Sequence, residues 1–311
     1  MSRSLRPVVF MLSSTFSLSL TGLLSKYLAE AMNAQLLSFM RFVVPALMLA
    51  GLMMLTRFNL PSRSMWKPMW IRALCIAACQ VCFIVSLQHL SLVESVVLFS
   101  TGPLFIPVLE KLIFSVRLSW LTLFGLCMTF GGVLLLADDV SGIQLRPELL
   151  IGLAAGLFNA GSQLSLYRAS KGGMRAIDIN FWTFVCAAVL LFPVLVISGI
   201  SLNPQVWVAP QASTVAIVVA LLTASVLIVN TQVFRSKAYQ LAESNSQLAP
   251  LIFTNLLFTA VWQFCFFDER FTALQLMGIS LIVAASAVNV IVPKLIRRRT
   301  RSQTGELNPG T

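Results

Sequence analysis

Ten runs of about 20 apolar residues follow one another along this chain, at approximately 7–27, 34–55, 69–89, 92–114, 118–137, 148–168, 178–199, 212–234, 245–267 and 272–292. A helix that crosses the hydrocarbon core of a bilayer needs about 20 such residues. Backbone polar groups in lipid must be satisfied within their own segment, so runs of this length specify membrane-spanning helices. Ten spans use about 200 of the 311 residues, which leaves loops and tails but no sizeable soluble domain. Composition agrees. Apolar residues make up 58% and charged residues 11%, where a soluble domain carries about a quarter charged. A soluble globular enzyme, a disordered regulator and a nucleic-acid-binding module are excluded. The run at 7–27 follows a basic start but is too long for a signal peptide and reads as a retained first span.

The net charge of +11 is distributed by side rather than clustered. With the N-terminus inside, the inner segments hold Arg3, Arg6, Arg57, Arg63, Lys67, Arg72, Lys111, Arg117, Arg168, Lys171, Arg175, Arg235, Lys237, Lys294, Arg297, Arg298, Arg299 and Arg301. The outer segments hold only Lys26, Arg146 and Arg270, and Arg41 lies within the second span. Cytoplasmic loops carry the excess of Lys and Arg, so both termini are expected inside, in a cytoplasmic (inner) membrane. An even number of spans follows. Residues 296–311 read as a basic cytoplasmic tail.

The chain also repeats itself. Residues 20–43 lie over 162–185 without a gap, which sets Lys26 on Arg168, Phe39 on Phe181, Phe42 on Phe184 and Val43 on Val185. Gly102-Pro103-Leu104 parallels Ala249-Pro250-Leu251, and Arg117 with Gly125 parallels Arg270 with Gly278. Residues 1–140 and 145–295 therefore read as two five-helix units. Five is odd, so the second unit must be inverted, an arrangement recurrent in secondary transporters that bind substrate between the halves. The expected fold class is all-α transmembrane: ten helices as two inverted five-helix repeats around a central cavity.

The stretch from Leu90 to Leu136, with Ser100-Thr101-Gly102-Pro103-Leu104-Phe105 and Gly131-Gly132-Val133-Leu134-Leu135-Leu136, resembles the drug/metabolite transporter superfamily. More narrowly it resembles the EamA-like ten-helix transporters. The second half is the clearer match, through Ala249-Pro250-Leu251, Phe267-Asp268-Glu269-Arg270 and Gly278-Ile279-Ser280-Leu281-Ile282. The chain departs from that pattern at Ser115 and Val116, where the family often has an acidic residue before the equivalent of Arg117. The resemblance implies transport of a small metabolite, with export the favoured direction, and names no substrate. The small four-helix multidrug relatives use a glutamate in their first helix. The first span here has no acidic residue, so that mechanism does not carry over.

Arg41 is the most unusual residue, about seven positions into span two and so roughly 10 Å deep. An intramembrane charge at that depth costs at least about 2.5 kcal/mol unless it finds a partner or snorkels. It either holds an anionic substrate group or forms an inter-helix ion pair. Glu94 and Glu110 are the candidate proton-coupling carboxylates. They lie sixteen residues apart on span four, hence about 160° apart around a helix, and cannot act as one device. Glu94 is within reach of Arg41 or His89, and Glu110 of Lys111 or Arg117. Pro103 and Pro107 interrupt span four, as hinges for alternating access or as static kinks. Gly152, Gly156, Asn159, Gln163 and Tyr167 form a stripe on span six. Its glycines suit close packing and its polar groups suit a cavity wall. Phe99, Asn180, Trp182 and Asn230 complete the expected substrate contacts, with Asn255 and Trp262 as weaker candidates.

The six cysteines all fall in apolar runs. Cys75, Cys79 and Cys82 share a face with Ser86 and His89. A soft-metal path is conceivable there, but buried free cysteine behaves as a small hydrophobe, and a packing seam is the expectation. No metal and no cofactor are expected. No Walker motif is present, so a substrate gradient or protons must drive transport. The partners expected are a small-molecule substrate and the lipid bilayer, with protons the candidate coupling ion. No nucleic acid is expected, and the chain is a monomer or homodimer. An enzyme is disfavoured, since the single histidine, His89, sits in a tight hairpin and no catalytic motif accompanies it. The preferred reading is a secondary transporter of a small amphipathic metabolite, such as an amino acid or a drug-like compound. The alternatives are an uptake or exchange carrier (for nucleoside derivatives or vitamins, for example), a passive channel, or a lipid-linked sugar flippase.

Overall fold

The computed structural model describes residues 6–56, 59–114, 120–136, 147–197, 213–241, 251–252, 254–267, 272–274, 276–285 and 288. Among these residues the chain is helical, with no strand. The helices are α1 (Arg6–Ala31), α2 (Ala34–Leu55), α3 (Arg63–His89), α4 (Leu92–Phe99), α5 (Gly102–Phe114), α6 (Trp120–Leu136), α7 (Pro147–Lys171), α8 (Ala176–Ile197), α9 (Thr214–Leu241), α10 (Thr254–Phe266) and α11 (Leu276–Ala285). Six of them (α1, α2, α3, α7, α8 and α9) are long and apolar enough to cross a membrane. Their outward faces stay apolar: Val189, Phe192 and Val196 of α8 are all exposed, as a lipid-facing surface requires.

Local sequence explains the ends. Asn33 caps α2 by accepting the Gln35 N–H at 2.9 Å. Gly172 and Gly173 stop α7, and Gly173 sits at φ 80°, a conformation open to glycine without a Cβ penalty. Ser91 opens α4 with a reciprocal capping box. Its hydroxyl accepts the Glu94 N–H, and the Glu94 carboxylate accepts from the Ser91 N–H and O–H at 2.9 and 2.8 Å.

Span four is interrupted, at Ser100-Thr101, where it breaks into α4 and α5. The cause is Pro103, which has no N–H to give the carbonyl of Phe99 four residues back. The side chains of Pro103, Pro107 and Glu110 lie outside the described residues. Two other spans were drawn too short. Helix α3 starts six residues before its apolar run, at Arg63, and α9 continues seven residues past its run, to Leu241.

The helices pair across the two halves of the chain. Helix α1 packs along α9, α3 along α7, and α2 against α8. Lipid offers no hydrophobic drive between helices, so close approach and hydrogen bonds must hold them. On α1 the buried Ser14, Ser17, Thr21, Gly22 and Ser25 supply a small polar face. Ser14 donates to the Thr231 carbonyl at 2.8 Å, and Asn230 donates to Ser17 at 2.6 Å. Gly161 of α7 leaves so little room that a Cβ there would stand 2.8 Å from the Cys75 sulfur. The cysteine face of α3 is thus packed against α7 at that point.

Candidate functional site

A cavity lies between α1, α2, α3, α4, α7, α8, α9 and α10. Apolar walls come from Phe42, Phe83, Phe99 and Phe184. Polar groups line it as well: Arg41, Gln80, Asn159, Gln163, Gln232, Arg235 and Asn255. Apolar walls with a few placed polar groups are the usual form of a small-molecule site.

The electrostatics of this cavity are one-sided. Arg41, Arg72 and Arg235 are buried, at 5%, 0% and 2% exposure, and no carboxylate stands within ion-pair distance of any of them among the described residues. Arg72 does not line the cavity. Its guanidinium donates to Thr183 Oγ1 at 3.1 Å, Asn180 Oδ1 at 2.7 Å and Gln232 Oε1 at 3.3 Å. Arg41 donates to Ser25 through one nitrogen, and its Nε has no partner. Arg235 has neither Nε nor one Nη bonded. Glu94 does not meet Arg41, because its carboxylate is taken up by the Ser91 cap.

A hydrogen-bonded chain runs along the cavity wall. The Tyr239 hydroxyl donates to Gln163 Oε1 at 2.9 Å, Gln163 Nε2 donates to Asn159 Oδ1 at 3.4 Å, and Asn159 Nδ2 reaches the Phe99 carbonyl at 3.5 Å. That carbonyl is the one Pro103 leaves without its helical donor. The polar stripe of α7 thereby fastens α9 to the break between α4 and α5.

Of the expected contacts, Arg41, Phe99, Asn159 and Gln163 line the cavity, as does the weaker candidate Asn255. Tyr167, Asn180, Trp182 and Asn230 do not. Tyr167 stacks edge-on against Tyr239, with rings 5.8 Å apart. Trp182 donates to the Asn59 carbonyl at 3.0 Å, and Asn230 is spent on Ser17. Asn180 accepts from Arg72 and donates to Ala176, Gln232 and Ser236. Asn180→Ala is therefore expected to remove about 1–3 kcal/mol of stability, read as a lower melting temperature in detergent, because it strips Arg72 of its shortest bond. No group of three or more His, Cys, Asp or Glu placed to hold a metal occurs among the described residues. Arg235, Gln80 and Gln232 were not foreseen. Arg235 follows the apolar run at 212–234, which assigns it to the inner interface, and the longer α9 buries it instead.

The EamA-like transporter family model matches residues 5–137 and again 146–291. The chain belongs to the EamA-like transporter family. This EamA-like protein is 23% identical over 281 residues to the pseudopaline exporter CntI of Pseudomonas aeruginosa strain UCBPP-PA14. The match covers 89% of this chain and 93% of that protein. The counterpart from strain PAO1 matches equally. A protein crystal structure at 17% identity superposes with a TM-score of 0.59, over 95% of this chain and 99% of that one, and shows the fold alone. The EamA-like chain is a multi-pass inner-membrane protein, a transporter rather than an enzyme.

Proposed function

We propose that the protein is a secondary active exporter of a small amphipathic metabolite with an acidic group, working by alternating access. The observation that carries this is the cavity that Arg41 and Arg235 make positive, with no facing carboxylate among the described residues. Two guanidiniums taken out of water cost several kcal/mol each unless something anionic joins them. In a transporter that something is the cargo. The proposed contacts are Arg41 and Arg235 for charge, Phe99 for the apolar part, and Asn159 and Gln163 for polar groups.

The proposed architecture has ten spans in two inverted repeats, 1–140 and 145–295, with the basic tail 296–311 and both termini in the cytoplasm. Helix pairing supports it. If α1, α2 and α3 correspond to α7, α8 and α9, a two-fold exchange turns the α1–α9 contact into α7–α3 and returns α2–α8 to itself, and these are extensive packings of the fold. It also turns α1–α10 into the contact of α7 with α4 and α5, which the fold makes as well. Export is the direction in the name of the P. aeruginosa relative.

The test is transport in proteoliposomes with labelled amino acids and organic acids, with and without an imposed pH gradient. Saturable movement of an acidic solute, weakened at least tenfold in apparent affinity by Arg41→Gln, is the expected result. If Arg41→Gln leaves the affinity for every carboxylated substrate unchanged, the reading fails. Movement confined to lipid-linked sugars would replace it with a flippase.

A further inference from the structure

We infer that the cargo carries two separate acidic groups, one seated at Arg41 and one at Arg235. This rests on the reading of the cavity as the cargo site and deepens it to a substrate class: an elongated diacid rather than a monoacid or a single doubly charged group.

The first step is which buried cations have donors to spare. Arg72 also leaves its Nε without a partner, but its two terminal nitrogens are committed to neutral oxygens on α8 and α9, and it does not line the cavity. Arg41 and Arg235 line the cavity, and together they leave three buried N–H-bearing nitrogens without a protein acceptor, as does Gln80 Nε2. A guanidinium presents five N–H groups and no acceptor, so the missing partners must be acceptors. Two positive charges also remain in a monoacid complex only half compensated, and an unpaired buried charge is strongly unfavourable.

The second step is separation, and α1 serves as the ruler. Arg41 donates to Ser25 of α1. Helix α9 meets α1 elsewhere, where Ser14 and Thr231 exchange hydrogen bonds and Asn230 reaches Ser17. Ser14 and Ser25 are eleven residues apart, which is roughly 16 Å along a helix at about 1.5 Å per residue. The pairing of Asn230 with Ser17 and of Thr231 with Ser14 shows that α9 runs antiparallel to α1. Arg235, one turn past Thr231, therefore lies still farther from Ser25. Even with its side chain stretched toward Arg41, the two guanidiniums stand at different levels of the cavity. One carboxylate cannot join both, and neither can one phosphate. Two acidic groups on a connecting chain can, in a cavity whose wall includes Phe99 and Phe83. One arginine comes from each half of the chain, so such a cargo bridges the halves that must move relative to each other.

The test uses the full-length protein in detergent and the linear dicarboxylates succinate, adipate, suberate and sebacate, each beside its own half-amide. Affinity is read from the concentration dependence of the thermal-stability shift. In the native protein the diacid should bind at least tenfold tighter than its half-amide, with the largest ratio among the longer chains. Arg41→Gln and Arg235→Gln should each bring that ratio within threefold of one. Arg41→Lys and Arg235→Lys, which keep the charge, should restore most of it, and this separates charge recognition from a folding defect. Equal binding of diacid and half-amide at every length overturns the inference, as does a ratio untouched by Arg235→Gln, and so does no binding of any diacid. Saturable, Arg41-dependent transport of a monoacid in liposomes, alongside any of those results, would leave the anion-transport reading standing and remove only this one.

Discussion

Proteoliposomes preloaded with an unlabelled dicarboxylate are expected to take up the labelled compound at least ten times faster than liposomes holding buffer alone. The reason is that arginine does not shed its proton in a protein. On the proposed alternating-access cycle, an empty cavity must therefore change sides with both guanidiniums, Arg41 and Arg235, charged and without a counterion. Each buried, unpaired ion costs several kcal/mol, and about 1.4 kcal/mol in a barrier is tenfold in rate. The loaded form avoids that cost, so the return step is fast only when an anion occupies the site. Exchange then dominates, and outward movement of one anion is driven by inward movement of another. An imposed pH gradient is expected to change the rate less than twofold. Among the described residues no Asp or Glu lines the cavity, and the Glu94 carboxylate is held by Ser91. Arg235→Gln should shrink the preloading effect toward one, because it lightens the charge the empty form carries. Equal rates with and without preloading would show that the empty form returns freely. Strong acceleration by the pH gradient would instead move coupling to a carboxylate, with Glu110 the first to replace.

The membrane helices were legible because hydropathy over about 20 residues reports lipid contact directly. Helix α2 was drawn at 34–55 and lies at Ala34–Leu55. Arg41, Asn159 and Gln163 are legible as cavity residues for a similar reason: a charge or amide in mid-span has to face something other than lipid. The same logic misplaced Asn180 and Asn230. Both satisfy themselves across helix seams, and an amide that bonds Arg72 or Ser17 has the same sequence signature as one that awaits a ligand. Arg72 and Arg235 were misjudged differently. Hydropathy ends a span where charge begins, yet α3 and α9 carry their charged turns inside the protein, where Asn180, Thr183 and Gln232 receive Arg72. The charge counts as interfacial in the sequence and is buried in the fold. Glu94 shows the reverse case. Ser91 three residues before it spells a capping box, and that local pattern outweighs the distant appeal of Arg41. The break after Phe99 was anticipated as a kink, but its depth depends on what α7 brings to the freed carbonyl, which no local sequence states.

Gly156→Ala is expected to lower the melting temperature sharply and transport at least tenfold, while Gly152→Ala, one turn away on the same face, does far less. At Gly156 a Cβ would stand 2.3 Å from Thr101 Oγ1 and 2.6 Å from the Leu98 carbonyl. Neither can step aside cheaply. The Thr101 hydroxyl is itself bonded to that carbonyl at 2.6 Å, and the carbonyl is backbone. At Gly152 the nearest atom, at 2.7 Å, is a terminal methyl of Leu98, the movable end of a side chain. Overpacking of a close contact costs about 1–3 kcal/mol, and it falls here on the joint between α4 and α5. The functional loss follows from the same contact. The closest approach of α7 to the break also sets Asn159 near the Phe99 carbonyl, and Gly102 packs back on the Asn159 amide and the Gly156 carbonyl, where its own Cβ would meet them at 3.0 and 3.2 Å. Pushing α7 away withdraws Asn159 and Gln163 from the cavity wall and leaves the freed carbonyl without its donor. Melting curves and exchange rates of the two alanine variants, side by side, check this. If both variants lose the same amount, α7 is not seated on the break through Gly156, and the fastening of the cavity wall to the α4–α5 joint has to be sought elsewhere along the helix.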